Sequence, residues 1–170
     1  MTGTRREGPR DECGVFGIYA PERDVARLTF FALFALQHRG QESAGIAVSD
    51  EGQILVFKDV GLVSQVFRED VLRSLTGQMA IGHVRYSTTG STGWANAQPV
   101  IRSRTTGDPL ALAHNGNLVN TDELRRHLEA RGVALGSSSD TEVIAALLAA
   151  HPARDVKEAV SEVIPRLRGA

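Results

Sequence analysis

The chain is poor in cysteine: Cys13 is the single one among 170 residues. One cysteine cannot form an intramolecular disulfide framework, and it excludes metal sites built from several thiolates. A chain without disulfides is typical of the cytoplasm, and we expect that compartment.

The chain also lacks a charge excess and a long apolar run. Its 19 basic and 20 acidic residues leave a formal net charge of -1, which gives no electrostatic footprint for nucleic acid or an anionic membrane. The longest apolar run, residues 28–36, is about half as long as a membrane span, and no apolar signal segment follows Arg5 and Arg6. We therefore expect one globular domain whose partners are small molecules or proteins.

The position of Cys13 is unusual. It follows a polar leader, residues 1–12, which is rich in charge, glycine and proline and cannot bury apolar surface. If the leader is removed between Glu12 and Cys13, the cysteine gains a free α-amino group, so that one residue carries both nucleophile and base. The alternative is a small buried core residue, since Val15, Phe16 and Ile18 follow it.

Apolar periodicity predicts an α+β fold in which antiparallel hairpins and helices pack in layers. Capping boxes are predicted at Asn120 with Glu123 and at Ser139 with Glu142, and Pro165 is expected to end or kink the last helix. The predicted strands are residues 14–19, 46–49, 53–58, 79–84 and 110–114, and the predicted helices are residues 25–37, 61–75, 121–131, 141–150 and 155–168. Residues 37–45 and 85–99 are predicted to be loops because they are polar and rich in glycine.

Six ordered motifs lie at or between these elements: CGVFGI (13–18), ALQHRGQESAGI (35–46), GHVRYSTTG (82–90), NAQP (96–99), HNGNL (114–118) and SDTE (139–142). Together they resemble the glutamine-hydrolysing (type 2) domain of the N-terminal-nucleophile amidotransferases. The residues of these motifs are most similar to those of the amidophosphoribosyltransferase family, which catalyses the first step of purine synthesis. The resemblance implies a four-layer αββα sandwich over residues 13–170, incomplete at its C-terminus.

The resemblance also implies the site residues. Cys13 is the nucleophile that forms a thioester with glutamine, and the oxyanion donors are the Asn115 side chain and the Gly116 backbone N–H. Arg39 and Gly40 support the nucleophile. The remaining implied residues bind glutamine: Arg85 and Thr88 bind the α-carboxylate, and Asp140 binds the α-ammonium.

Taken without the resemblance, several of these residues have ordinary structural explanations. Asn115 is typical of a turn in left-handed geometry, and Asp140 is typical of the first turn of a helix. Because no metal-ligand partner lies at helical spacing from His38, His83 or His114, we expect these three to make structural hydrogen bonds and expect no metal site. By resemblance, residues 86–94 form a loop that closes over glutamine, with Gly90 and Gly93 giving hinge freedom.

The resemblance extends beyond this chain. The family continues into a phosphoribosyltransferase domain that needs Mg²⁺, and the full enzyme is expected to be a homo-oligomer; whether it carries an iron-sulfur cluster stays open. Three alternatives also stay open: the glutaminase domain of a relative of the glucosamine-6-phosphate synthase type, an incomplete and inactive fragment, and an amide hydrolase that does not recognise the glutamine α-carboxylate.

Overall fold

The structure, a computed structural model, describes residues 13–86 and 93–169. The predictions for the leader, Thr88 and Gly90, and for most of the predicted closing loop, lie outside the described residues. Within the described ranges, no helix is long and apolar enough to cross a membrane.

Four strands form the larger sheet, in the order β1-β4-β2-β3 and with every neighbouring pair antiparallel. They are β1 (Gly14–Tyr19), β2 (Ser43–Asp50), β3 (Gln53–Val60) and β4 (Met79–Arg85). The predicted β2–β3 hairpin is confirmed, with Glu51 and Gly52 at positive φ in its turn. The prediction that the loop runs to residue 45 is wrong, because β2 already begins at Ser43.

Helices cover the outer face of this sheet. The first, α1 (Val25–Ala35), begins at Asp24, whose side chain accepts from the Arg27 N–H. The single helix predicted over residues 61–75 is wrong: two short helices form instead, α2 (Val63–Val66) and α3 (Glu69–Ser74). Phe67 between them is extended and only 3% exposed, because its ring packs against Phe57 in the core at a centroid distance of 6.0 Å.

The second half of the chain forms a small sheet and three helices. The sheet pairs β5 (Val100–Ser103) with β6 (Pro109–Leu112), and its helices are α4 (Thr121–Ala130), α5 (Asp140–Ala149) and α6 (Val156–Val163). β3 contacts β6, and α5 packs on both strands of the small sheet. The order helix, sheet, sheet, helix confirms the α+β prediction and its αββα layering.

The helix-end predictions had mixed outcomes. Ser139 caps α5 by accepting from the Glu142 N–H at 3.2 Å, but the other half of the predicted capping box is wrong, because the Glu142 carboxylate accepts from the Gly136 N–H and from Arg102 and not from the Ser139 N–H. Asn120 makes no capping bond; its side chain instead bonds the Arg166 carbonyl and the Arg168 N–H, both at 3.0 Å. The predicted capping box at Asn120 was therefore wrong, because the Asn120 side chain forms its hydrogen bonds with the C-terminal segment. α6 ends at Val163 and a 3₁₀ turn, Ile164–Arg166, follows it, so the helix does end near Pro165, but the predicted extent to residue 168 is wrong.

Candidate active site

A cavity of about 260 Å³ opens where β1 begins, β4 ends and α5 starts. Four of the predicted site residues line it: Cys13, Arg85, Gly116 and Asp140. The other lining residues are Tyr86, Asn96, Gln98, His114, Asn117, Thr121, Ser138 and Ser139. Residues separated by more than a hundred positions in sequence thus meet in one polar cavity.

Cys13 lies half-buried immediately before β1. Its sulfur is 3.4 Å from the Tyr86 nitrogen, which donates to it, and 3.6 Å from the Tyr86 carbonyl oxygen. Its own carbonyl accepts from Arg39 Nε at 3.3 Å and from Asn115 Nδ2 at 2.9 Å. The backbone of Cys13 is therefore held from two sides, and its thiol faces the cavity.

The structure brings Asn115 to the nucleophile by an unexpected bond. The Asn115 amide donates to the Cys13 carbonyl and does not line the cavity, whereas the neighbouring Gly116 does. An asparagine amide carries two N–H donors, so this bond leaves one for a second acceptor. The oxyanion role of Asn115 and Gly116 stays a prediction.

Arg39 and Gly40 lie behind the nucleophile and do not line the cavity. Arg39 contacts Cys13 as described, and Gly40 lies against the end of β4. A Cβ atom at Gly40 would be 2.7 Å from the backbone carbonyl carbons of Val84 and Arg85, closer than such atoms approach in proteins. The backbone of the 37–45 segment can therefore reach β4 only with glycine at this position.

Arg85 is held by a carboxylate that sequence reasoning missed. Its Nη1 donates to Glu42 Oε1 at 2.7 Å, and the two side chains are only 9% and 12% exposed. A guanidinium has five N–H donors in a fixed plane, so one bond to Glu42 sets the orientation of the others. The acidic residue inside the second motif was the only available signal for this pair.

Asp140 is the first residue of α5 and is half-buried. Its carboxylate accepts from the N–H groups of Leu118 at 3.2 Å and Thr141 at 2.8 Å, and His114 Nδ1 lies 3.8 Å from Oδ2. Burial acts to raise the pKa of Asp140, but the neighbouring His114 and these two N–H groups outweigh it and lower the pKa below its ordinary value. Asp140 therefore places a negative charge in the cavity at neutral pH while it also serves the first turn of α5.

The three histidines differ. His38 Nδ1 lies 3.0 Å from the Ala35 carbonyl oxygen, as expected of a structural hydrogen bond. For the His83 ring the prediction was wrong: it is fully buried, and neither nitrogen makes a hydrogen bond to a described residue. His114 lines the cavity, and its Nδ1 has no hydrogen-bond partner among the described residues. No group of three or more potential metal-binding side chains occurs in the described ranges.

Gln98 was quoted in a motif but given no role. Its side chain accepts from the His114 N–H at 2.7 Å and donates to the His114 carbonyl at 3.2 Å. These two bonds replace a strand partner for His114 and fix the turn that carries Asn115 and Gly116. A polar side chain in the long 85–99 connection was the signal, but the sequence did not show which residue it would contact.

Comparison with known proteins identifies the domain. Residues 83–170, just over half of the chain, match the family model described as glutamine amidotransferase domain. The chain belongs to this family. It is 55% identical over 169 residues to the amidophosphoribosyltransferase of Mycobacterium leprae, and the match covers 95% of this chain and 30% of that protein. It is 50% identical over 161 residues to the amidophosphoribosyltransferase of Methanocaldococcus jannaschii, covering 93% of the chain and 34% of that protein.

Solved structures of glutamine amidotransferases share the fold. The Bacillus subtilis glutamine phosphoribosylpyrophosphate amidotransferase, solved with ADP and GMP, superposes with a TM-score of 0.82 at 41% identity, covering 92% of this chain and 33% of that one. The αββα layers are therefore those of an N-terminal-nucleophile glutamine amidotransferase domain. The chain spans about a third of the length of the relatives that it matches.

Proposed function

We propose that this chain binds glutamine and hydrolyses its side-chain amide, with Cys13 as the nucleophile. The observation that carries the proposal is the cavity itself, in which one thiol lies with one cationic and one anionic side chain, Arg85 and Asp140. A free α-amino acid presents a carboxylate and an ammonium together. Its side chain is then left to face the thiol.

Arg85 and Asp140 bind the two charged groups of the substrate in this proposal. The Arg85 guanidinium, fixed by Glu42, donates to the α-carboxylate through its remaining N–H groups. The Asp140 carboxylate accepts from the α-ammonium, and its lowered pKa keeps it ionised. Thr88, which lies outside the described residues, adds a hydroxyl to the carboxylate site by family resemblance.

The chemistry begins with attack of the Cys13 sulfur on the amide carbonyl of glutamine. The α-amino group of Cys13, with a reference pKa of about 8 for such groups, takes the thiol proton and passes it to the departing ammonia. Asn115 and Gly116 donate to the oxyanion of the tetrahedral intermediate, and water then hydrolyses the thioester to glutamate. This base exists only after cleavage between Glu12 and Cys13, so removal of residues 1–12 is part of the proposal.

The relatives are about three times as long as this chain, and for a protein of that length the proposal includes a second reaction. There the ammonia forms 5-phosphoribosylamine from phosphoribosyl pyrophosphate; relatives named amidophosphoribosyltransferase and glutamine phosphoribosylpyrophosphate amidotransferase support this. That step belongs to a phosphoribosyltransferase domain with Mg²⁺, in a cytoplasmic homo-oligomer. Glutamine is the partner that the described cavity itself supports.

Ammonia release from glutamine tests the proposal. Purified, folded chain with Cys13 as its first residue should release ammonia and glutamate in equal amounts, and Cys13→Ala should release neither. Absence of release from the folded chain would contradict the glutaminase proposal and favour an inactive fragment. Hydrolysis of amides that lack the α-carboxylate at a rate similar to glutamine would favour a different amide hydrolase.

A further inference from the structure

One side of the glutamine cavity is formed by a segment outside both sheets. The 94–98 segment begins with a 3₁₀ turn, Trp94–Asn96, and two of its side chains, Asn96 and Gln98, line the cavity. Gln98 also holds the backbone of His114. The shape of the cavity and the turn beside it therefore depend on where the 94–98 segment lies.

Lys58 of β3 fastens this segment to the large sheet. Its Nζ donates to the Ala97 carbonyl at 2.5 Å and lies 5.1 Å from the centroid of the Trp94 ring. The Trp94 indole N–H donates in return to the Lys58 carbonyl at 3.0 Å. One lysine thus contacts the segment at two positions, through a charge-assisted hydrogen bond and a cation–π contact.

The surroundings partly shield the Lys58 ammonium from water. Burial lowers the pKa of Lys58, and attraction to the Glu142 carboxylate only partly opposes the effect. Beside it, a Cβ atom at Gly45 would be 2.0 Å from the Gln98 carbonyl oxygen and 2.8 Å from Lys58 Cβ. Gly45 therefore lets the segment lie directly on the sheet, and Lys58 is the side chain that binds it there.

We propose that Lys58 is a positioning residue for the glutamine cavity, which acts by fixing the 94–98 segment and through it Asn96 and Gln98. This inference rests on the proposed glutaminase function. Without the ammonium, the carbonyl of the fully buried Ala97 loses its donor, and an unsatisfied buried carbonyl favours a shifted segment. The consequence is weaker glutamine binding with the chemical step intact.

The test compares Lys58→Met with Lys157→Met. Methionine keeps most of the apolar stem and removes the ammonium. Lys157 is the second of the two lysines in the chain and is exposed on α6, which makes it a matched control. Two readouts are measured on the chain that begins at Cys13: the fluorescence of Trp94, the single tryptophan, and the kinetics of ammonia release.

For Lys58→Met we expect a changed Trp94 emission and quenching without any ligand, and a glutamine KM raised about tenfold at nearly constant kcat, the cost of one charge-assisted hydrogen bond. Lys157→Met should give the same Trp94 fluorescence and the same kinetics as the chain without a substitution. Unchanged Trp94 fluorescence together with an unchanged KM would overturn the inference. If the unchanged chain releases no ammonia, the proposed function fails, and the Trp94 readout alone then decides whether Lys58 fixes the segment.

A measurement on the unchanged chain covers the case in which Lys58→Met does not fold. An amine-acylating reagent is applied with and without saturating glutamine, and the rate at Lys58 is divided by the rate at Lys157, which corrects for the reagent that the glutamine α-amine consumes. Saturating glutamine should lower this ratio, because it holds the 94–98 segment on Lys58. A ratio that does not respond to glutamine would overturn the inference.

Discussion

The buried imidazole of His83 predicts a specific loss of stability in mild acid. His83 lies on β4, on the face opposite Gly82; an added Cβ at Gly82 would be 2.5 Å from Thr29 of α1, so His83 faces away from the helices, on the same side as Arg85. Burial lowers the pKa of His83 to about 4; the polar backbone of His114 opposes burial, and the charges of Arg85 and His114 lower the pKa further by smaller amounts. The folded chain therefore holds this ring neutral.

The size of the effect follows from linkage. In the unfolded chain His83 titrates near its ordinary value of 6.5, so between that value and about 4 the unfolded state binds the extra proton and folding is disfavoured. The full interval corresponds to about 3 kcal/mol at 1.36 kcal/mol per unit, and about 2 kcal/mol of it is lost between pH 7 and pH 5. This contribution to stability is fully present above the unfolded-state pKa of His83 and is lost as the pH decreases from there toward about 4.

Urea unfolding at several pH values from 7 to 5 measures this contribution. The control is His83→Gln, since glutamine is polar but does not titrate, and every other titratable group is present in both chains. The unfolding free energy of the unchanged chain should fall by about 2 kcal/mol more than that of His83→Gln over this range. Parallel pH dependences would refute the buried neutral imidazole.

Two further predictions concern the reaction. Arg85→Ala should raise the KM for glutamine about tenfold or more, because a charged hydrogen bond to the α-carboxylate is lost; steady-state ammonia release checks this, and an unchanged KM would favour an amide hydrolase indifferent to that group. Asn115→Ala should lower kcat by about 10²–10³, the usual effect of removing one oxyanion donor. Alkylation of Cys13 by a reagent that forms no oxyanion serves as the control. If Asn115→Ala slows this alkylation by a comparable factor, Asn115 only positions the Cys13 carbonyl.

The sequence predicted the strands of the large sheet well because alternation, a hairpin turn and glycine punctuation are local signals. It failed where distant contacts decide the local structure. Phe67 interrupts a periodic helical pattern because its ring packs against Phe57 in the core. Similarly, β5 was not predicted, since its four residues have no regular pattern and Arg102 within it pairs with the buried Glu142 of α5.

The candidate site shows the same division. Motif resemblance named Cys13, Arg85, Gly116 and Asp140, and the cavity contains all four. It gave no partner for Arg85, because Glu42 reaches it only through the pairing of β2 with β4, where Ser43 lies opposite Arg85. The part played by Lys58 was likewise hidden, since its contacts run to a segment nearly 40 residues away.

The central claim is that Cys13, freed of the leader, is the nucleophile that attacks glutamine. Its most direct test is intact-mass and peptide mass analysis of the chain after reaction with a glutamine analogue that carries a diazoketone in place of the side-chain amide. The account predicts a chain that begins at Cys13, one equivalent of label on that residue, and protection by glutamine. Active protein that retains residues 1–12, or label elsewhere with Cys13 unmodified, would contradict it.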